Sequence, residues 1–149
     1  MSTVADLLES KGRMVFSIDA EASVFEAIEK MVECDVAALV VTDANSELAG
    51  IISQRDFATK VVLKDESPRS VQVKDIMTKN VLYVRDDTAT SICMDIMSQK
   101  NFHHLPVIEG HVPVAMVTAG DLFRFVVREQ SMAIDELQGY IFDEEGGEG

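Results

Sequence analysis

Two short motifs in this sequence place a hydroxyl residue three positions before an aspartate. They are Ser53-x-x-Asp56 and Thr118-x-x-Asp121, and an apolar run precedes each of them. This arrangement predicts a strand that leads into a helix, with the hydroxyl and the carboxylate forming a capping box. The same groups could bind a ligand, because a hydroxyl can donate to a phosphate oxygen and a carboxylate can accept from a ribose diol. Capping and ligand binding are therefore two open alternatives for both motifs.

The motifs belong to a tandem repeat. Asp56 corresponds to Asp121 at an offset of 65 residues, and residues 15–43 match residues 81–109. The hydrophobic pattern predicts the order β-α-β-β-α in each copy, so one supersecondary unit occurs twice. Three additional residues, Lys11-Gly12-Arg13, predict a longer loop before the first unit than the one before the second.

The elements of each unit can be placed from apolar periodicity and capping residues. Strands are predicted at residues 14–18, 36–41, 81–84 and 102–108. Ser23 is the predicted N-cap of the long helix in the first unit, and Thr88 or Thr90 is that of the second. The helix residues predicted to face the core are Val24, Ala27, Ile28, Met31 and Val32 in the first unit and Ile92, Cys93, Ile96 and Met97 in the second.

Short helices are predicted to precede the units. One follows Thr3, and a similar pattern recurs at residues 73–77. A further helical segment follows Asp121 and has no counterpart in the first unit, and the acidic, glycine-rich end at residues 143–149 is predicted to be disordered.

The composition argues against several classes of partner. The chain has 26 acidic and 13 basic residues and a formal net charge of −13, whereas nucleic-acid binding requires a basic surface. No apolar run approaches the roughly 18 residues that a membrane span needs, and no secretory signal is evident. A cytoplasmic protein with no nucleic-acid and no membrane partner is therefore expected.

Catalysis and metal binding lack the residues that they need. The sequence contains no P-loop, nucleophile elbow or dinucleotide-binding fingerprint, so no enzyme activity is predicted. His103 and His104 are neighbours on a predicted strand, where adjacent side chains point to opposite faces. No Cys or acidic residue lies at a matching spacing, so no metal site is predicted.

Taken together, four motifs resemble the CBS-domain family, in particular its stand-alone tandem pairs. They are Gly50-Ile-Ile-Ser-Gln-Arg-Asp56, Val117-Thr-Ala-Gly-Asp121, Asp75-Ile-Met-Thr78 and His103-His-Leu-Pro-Val107. The resemblance implies an α/β (α+β) fold in which tandem β-α-β-β-α repeats pack through their sheets with pseudo-twofold symmetry. It also implies domain limits of 1–63 for the first repeat with its N-terminal helix, 64–72 for a linker, 73–128 for the second repeat and 129–149 for a C-terminal helical extension with an acidic tail.

The resemblance further implies an adenosyl ligand in a cleft between the repeats, with the motif aspartate on the ribose and the hydroxyl near the phosphate. One cleft is expected to contain Thr118, Gly120, Asp121, His104, Val36, Ala37, Val15 and Phe16. The other is expected to contain Ser53, Arg55, Asp56, Thr78, Val81, Leu82, Phe102 and His103. His104 has two open alternatives: a cation against the phosphate, or a core or surface histidine with no such role.

The predicted function is a regulatory, energy- or redox-sensing module. Its ligand is expected to be AMP, ADP or ATP, an NAD-type nucleotide or S-adenosylmethionine, bound as a regulatory ligand with no catalytic cofactor. A homodimer and a regulated protein partner are also expected. The alternative is a structural homodimerisation module whose clefts are unoccupied.

Overall fold

Two small mixed units make up the chain, and the computed structural model describes residues 1–146, with side chains through residue 139. The helices are α1 (Val4–Lys11), α2 (Val24–Cys34), α3 (Gln54–Phe57), α4 (Val73–Ile76), α5 (Thr90–Lys100) and α6 (Ala119–Gly146). A π-helical turn, Ala58–Val62, continues α3. The strands are β1 (Ser17–Asp19), β2 (Ala38–Thr42), β3 (Leu48–Ser53), β4 (His104–Glu109) and β5 (Val112–Thr118).

Each unit has its own sheet. In the first, β1 pairs in parallel with β2, and β2 pairs antiparallel with β3. In the second, β4 and β5 pair antiparallel, but the strand predicted at residues 81–84 is only a parallel bridge between Val84 and Val107. Of these residues only Val84 is buried. Leu82 and Tyr83 are exposed, and Val81 is partly buried. The predicted repeat order is therefore complete in the first unit and reduced in the second.

The long helices confirm most of the predicted core faces. Ser23 caps α2 by accepting a hydrogen bond from the Glu26 N–H, as predicted. In α5, by contrast, the N-cap is Ala89, so the prediction of Thr88 or Thr90 was wrong. Val24, Ala27, Met31, Cys93 and Met97 are buried, and Ile28 and Ile96 pack at the edge of the core, but Val32 and Ile92 are exposed.

The short helices cross over between the units. Helix α1 precedes the first unit in sequence, yet its Val4 and Leu7 lie in the core of the second unit. Helix α4 precedes the second unit, yet its Val73 and Ile76 lie in the core of the first. Backbone hydrogen bonds fix both arrangements, because the Val4 N–H donates to the Thr88 carbonyl over 2.8 Å and the Val73 N–H to that of Ala22 over 2.8 Å. Each core is completed by a helix from the other side of the sequence.

A third apolar cluster joins the two sheets. Its buried members are Ala38 and Val40 of β2, Ile51 of β3 and Met116 of β5. Packing through the sheets, as the resemblance implies, is thus confirmed.

Helix α6 is longer than any other element. Its N-terminal half packs on the second unit through Leu122 and Phe125. The helix continues to Gly146, so the predicted disorder is wrong for residues 143–146, and residues 147–149 lie outside the described part. Over the described residues, no helix has both the length and the apolar character that crossing a membrane demands.

Candidate functional site

Two clefts lie between the units, one beside each motif aspartate. The Asp56 cleft has a volume of about 450 Å³ and the Asp121 cleft one of about 550 Å³. The Asp56 cleft is lined by Ala37, Ile51, Ser53, Gln54, Arg55, Asp56, Thr78, Val81, Leu82, Asn101, Phe102, His103 and His104. The Asp121 cleft is lined by Lys11, Gly12, Arg13, Met14, Phe16, Asp35, Val36, Ala37, Ala38, His104, Met116, Thr118, Asp121 and Arg124.

The capping boxes predicted from sequence are present in both clefts. The Ser53 N–H and hydroxyl donate to Asp56 Oδ2 over 2.9 and 3.0 Å. The Thr118 N–H donates to Asp121 Oδ2 over 2.9 Å, and the Asp121 N–H donates back to Thr118 Oγ1 over 3.0 Å. One oxygen of each carboxylate therefore accepts hydrogen bonds from the residue that caps its own helix.

The remaining partners of the carboxylates differ between the clefts. Asp56 Oδ1 lies 2.9 Å from Nζ of Lys60, one turn along the same helical segment. Asp121 accepts from two cations, because Arg124 lies 2.9 Å from Oδ1 and Lys11 of α1 donates to Oδ2. Burial raises the pKa of Asp121, but the hydrogen bonds from Lys11 and Thr118 outweigh burial and hold this pKa below its ordinary value.

Lys11 also occupies a place that a backbone group fills in the other unit. Ile51 and Thr78 exchange two backbone hydrogen bonds, of 3.1 and 2.9 Å, beside the Asp56 cleft. Met116 is the repeat equivalent of Ile51, and its carbonyl accepts from Lys11 Nζ. The extra residues before the first unit thus replace a backbone bridge with a side-chain cation.

This exchange makes the Asp121 cleft the more cationic of the two. Lys11, Arg13 and Arg124 line it together with the acids Asp35 and Asp121. In the Asp56 cleft, the only permanently charged lining residues among those described are Arg55 and Asp56. In a chain with a net charge of −13, local cations of this kind are what an anionic ligand requires.

His104 lies at the junction of the clefts and lines both. Burial lowers its pKa, and the nearby positive charges of His103 and Lys11 lower it further, although Asp121 opposes them. With a pKa below the ordinary 6.5, His104 is neutral at pH 7. A charge on His104 is therefore expected only at acidic pH, and its role beside a phosphate stays a prediction.

The structure brings together most of the residues proposed from sequence. All eight proposed for the Asp56 cleft line it. Of the eight proposed for the Asp121 cleft, Val15 and Gly120 are not among the lining residues. Val15 packs instead on the cluster between the sheets. Gly120 lies against the Arg124 guanidinium, which a Cβ at this position would meet first.

Sequence reasoning missed the cations of the Asp121 cleft. Lys11 and Arg13 belong to the three additional residues, so the insertion itself carried a signal that was interpreted only as a longer loop. In fact Lys11 is the last residue of α1. Arg124 follows Asp121 by three positions, a spacing at which side chains on a helix meet. Within the described residues, no three His, Cys, Asp or Glu side chains converge as a metal site requires.

Comparison with known proteins agrees with this architecture. The family model of the CBS domain matches residues 4–63 and again residues 73–128. CBS domain-containing protein CBSX3, mitochondrial, from Arabidopsis thaliana is 32% identical over 148 residues, which cover 94% of this chain and 72% of the relative. Other Arabidopsis relatives are much longer, and the chain matches only 18–21% of their length.

Solved structures show the same fold. A putative signal-transduction protein with CBS domains from Burkholderia ambifaria MC40-6 superimposes with a TM-score of 0.80 at 36% identity, covering 87% of this chain and 96% of that one. The structure of CBSX2 in complex with AMP gives a TM-score of 0.72 at 24% identity, covering 87% and 99% of the two chains. With two family matches over most of its length and these relatives, the chain belongs to the CBS-domain family as a tandem CBS pair.

Proposed function

We propose that this chain is a regulatory, non-catalytic module that binds an adenosyl ligand in the clefts between its repeats. The observation that carries the proposal is the Asp121 cleft, where a mostly buried carboxylate and three cations surround an opening of about 550 Å³ at the start of the long helix α6. A volume of this size fits a small-molecule ligand of nucleotide dimensions.

The chemistry of the cleft matches the three parts of such a ligand. Phe16, Val36 and Met116 offer apolar walls for a flat base. Asp121 offers an acceptor for a ribose hydroxyl, and Lys11 with Arg124 offers charge-assisted donors for a phosphate. AMP, ADP, ATP and NAD-type nucleotides supply all three parts, and S-adenosylmethionine supplies the first two. The fold of CBSX2, whose structure contains AMP, supports this choice of ligand class.

The existing bonds of Asp121 define how a ribose could approach. Oδ2 already accepts from Thr118 and Lys11, whereas Oδ1 accepts only from Arg124, whose side chain is largely exposed. A carboxylate oxygen has two lone-pair directions, so Oδ1 retains one. A ribose hydroxyl can therefore bind Oδ1 directly, and contact with both oxygens requires Lys11 to leave Oδ2.

The alternative is a structural homodimerisation module with unoccupied clefts. One observation favours it: both carboxylate oxygens of each motif aspartate already contact capping groups or cations of their own chain. A capping box with an ion pair stabilises a helix without any ligand. The two functions differ in whether a nucleotide stabilises the fold.

A thermal-shift titration separates them. AMP, ADP, ATP, NADH and S-adenosylmethionine are compared with adenosine, GMP and inorganic phosphate as controls. Binding at a hundredfold excess over Kd stabilises by about 2.7 kcal/mol, which raises the Tm by roughly 5–10 °C for a chain of this size. A response to at least one adenosyl compound that exceeds the response to GMP and phosphate supports the sensor. An unchanged Tm with every compound at millimolar concentration supports the structural alternative.

Three further parts of the proposal concern assembly and location. We propose a homodimer, because apolar side chains remain exposed on α2, α5 and α6, and large apolar patches normally mark interfaces. A regulated protein partner is proposed because a non-catalytic regulatory module acts by changing the activity of another protein. A cytoplasmic location stays a prediction, since the Arabidopsis relative CBSX3 is named as mitochondrial.

A further inference from the structure

The C-terminal half of α6 leaves the body of the molecule. From Arg128 through Gly139 every residue of the helix is exposed, although residues 119–127 pack partly on the second unit. At about 1.5 Å per residue, the 15 residues 132–146 extend roughly 22 Å. An isolated helix of this length is marginal in water, so its apolar side chains require a partner.

Four exposed apolar residues of α6 lie along one seam. Phe123, Val127, Ile134 and Leu137 are 70%, 44%, 53% and 63% exposed, respectively. With Gln130 they follow the alternating four- and three-residue spacing of a heptad repeat. This spacing places all five on one side of the helix and is typical of a coiled-coil contact.

The N-terminal half of the seam borders a groove between α1 and α6. The groove has a volume of about 530 Å³, and Phe123 and Val127 form part of its wall. Its cations are Lys11, Arg124 and Arg128, and its one acidic lining residue is Asp121, which Lys11 and Arg124 already bind. The groove is thus apolar with a cationic rim.

The C-terminal half of the same helix has the opposite charge. Residues 132–146 contain five acidic residues and no Lys or Arg. An acidic helix with an apolar seam is the shape and charge that the groove fits. In a parallel pair the acidic halves of two copies would lie side by side and repel. An antiparallel pair sets each acidic half against residues 119–131, where Arg124 and Arg128 balance the two acids, and against Lys11 of the groove.

We propose that two copies of this chain pair antiparallel along α6, so that the C-terminal half of each α6 lies in the α1/α6 groove of the other. The inference gives a surface to the homodimer proposed above and rests on it. One register satisfies the seam: Val127 packs opposite Leu137 of the second copy, and Gln130 packs opposite Ile134. Ser131 and Ala133 flank the centre, where their small side chains allow the helices to approach closely.

The test compares two matched substitutions by sedimentation velocity. Ile134 lies on the seam and Met132 on the outer side of the helix, and both are exposed to a similar degree, 53% and 57%. Ile134→Asp buries a charge at the contact and raises the dimer Kd at least about 100-fold. Met132→Asp makes the same chemical change outside the contact and leaves the dimer intact.

Disulfide formation tests the direction of the pair. A mixture of Val127→Cys and Leu137→Cys proteins forms a cross-linked dimer under mild oxidation, because the two positions face each other in the antiparallel register. Each variant alone forms none, and the wild-type chain with its own Cys34 and Cys93 is the background. Cross-linking within Val127→Cys alone indicates a parallel pair and overturns the proposal.

The remaining outcomes separate this proposal from the one it rests on. A wild-type chain that sedimentation velocity shows to be a monomer at the highest concentration used refutes both the seam and the homodimer. A dimer that survives Ile134→Asp, or one that Met132→Asp also dissociates, refutes the seam and leaves the homodimer. Nucleotide binding is measured separately on wild type and Ile134→Asp, because the groove shares Lys11, Asp121 and Arg124 with the Asp121 cleft but no lining residue with the Asp56 cleft.

Discussion

In the Asp56 cleft the motif carboxylate is paired with Lys60 of its own helical segment, whereas in the Asp121 cleft it is paired with Lys11, which lies 110 residues away in sequence. The two motifs are repeat equivalents, yet three additional residues before the first unit have changed the bonds around one of them. A ligand at Asp56 thus meets a cation of the same helical segment. A ligand at Asp121 meets Lys11 of α1, and α1 packs on the second unit.

The comparison shows that a repeated motif fixes the position of a carboxylate but not its electrostatic surroundings. Three cations line the Asp121 cleft, and one lines the Asp56 cleft if the histidines are neutral. A phosphorylated ligand is therefore expected to occupy the Asp121 cleft first. An uncharged or cationic adenosyl compound has no such preference.

The largest effect is expected from replacing the motif aspartates one at a time. Asp121→Asn removes a charged acceptor from the more cationic cleft and weakens AMP binding about ten- to hundredfold, because a charge-assisted hydrogen bond is worth about 1.5–3 kcal/mol. Unfolding free energy falls by about 1–2 kcal/mol, since two ion pairs are lost. Calorimetric titration and urea unfolding measure the two quantities.

Asp56→Asn is the matched control for this prediction. It makes the same change at the repeat-equivalent position and is expected to affect AMP affinity less. Equal losses in the two variants would show that the clefts are equivalent for this ligand. A stability loss of several kcal/mol in Asp121→Asn with unchanged affinity would show that the motif is only a cap.

A second prediction concerns the backbone bridge beside the Asp56 cleft. A Cβ on Gly50 would lie 2.6 Å from the Thr78 carbonyl oxygen and 2.9 Å from the sulfur of Met77, so Gly50→Ala must move backbone. We expect a loss of about 1–3 kcal/mol in urea unfolding. The second unit has Ala115 at the equivalent position, and Gly120→Ala meets only the flexible end of Arg124. The Gly120→Ala control is therefore expected to change stability by less than about 0.5 kcal/mol.

A third prediction concerns Lys11. Because the pKa of Asp121 is lowered in the folded state, its ionised form contributes stability above the ordinary value of 3.8, and this contribution is lost as the pH falls below 3.8. Lys11→Met is expected to cost about 1 kcal/mol between pH 5 and 7, and the difference from wild type shrinks below pH 3.8. Urea unfolding at several pH values measures it.

The matched control is Lys60→Met, which removes the cation from the other cleft. Hydrogen exchange of the α1 amides adds a second measurement. Exchange should accelerate in Lys11→Met, because Lys11 ties the end of α1 to Met116 and Asp121. If both lysine variants accelerate α1 exchange equally, the proposed difference between the clefts is wrong.

The smallest effect is expected from His104. Its lowered pKa keeps the ring neutral above pH 6.5, so the ratio of AMP affinities of wild type and His104→Ala stays constant from pH 6.5 to 8. Below pH 6.5 the ratio rises by about two- to fivefold in favour of wild type as the ring gains charge. The ratio cancels the titration of the AMP phosphate itself, and a ratio that changes between pH 7 and 8 would contradict the lowered pKa.

Periodicity and capping residues predicted much of this architecture because they report local chemistry. Ser23, Ser53 and Thr118 act within one helical turn, and the sequence alone defines their partners. The N-cap of α5 was missed because two threonines flank the true cap, and a side chain near a helix start gives no indication of the first helical residue.

Contacts between distant segments could not be predicted, because periodicity and capping residues report only local chemistry. The position of α1 in sequence indicates that it precedes the first unit, but docking on the second depends on which core has space for Val4 and Leu7. The reach of Lys11 to Asp121 follows from that docking. Residues 81–84 have strand composition, yet Leu82 borders a cleft and only Val84 pairs with a neighbouring strand.

The crossed helices also determine when each core can close during synthesis. The first core needs residues only through Ile76, so it can close while the second unit is still being made. Helix α1 is made earlier than either core, but the strand β5 on which it packs ends at Thr118, more than 100 residues later. At roughly 5–20 residues per second, α1 waits about 5–20 s with Val4, Leu7 and Leu8 uncovered. The nascent chain thus carries a short segment with uncovered apolar side chains throughout that interval.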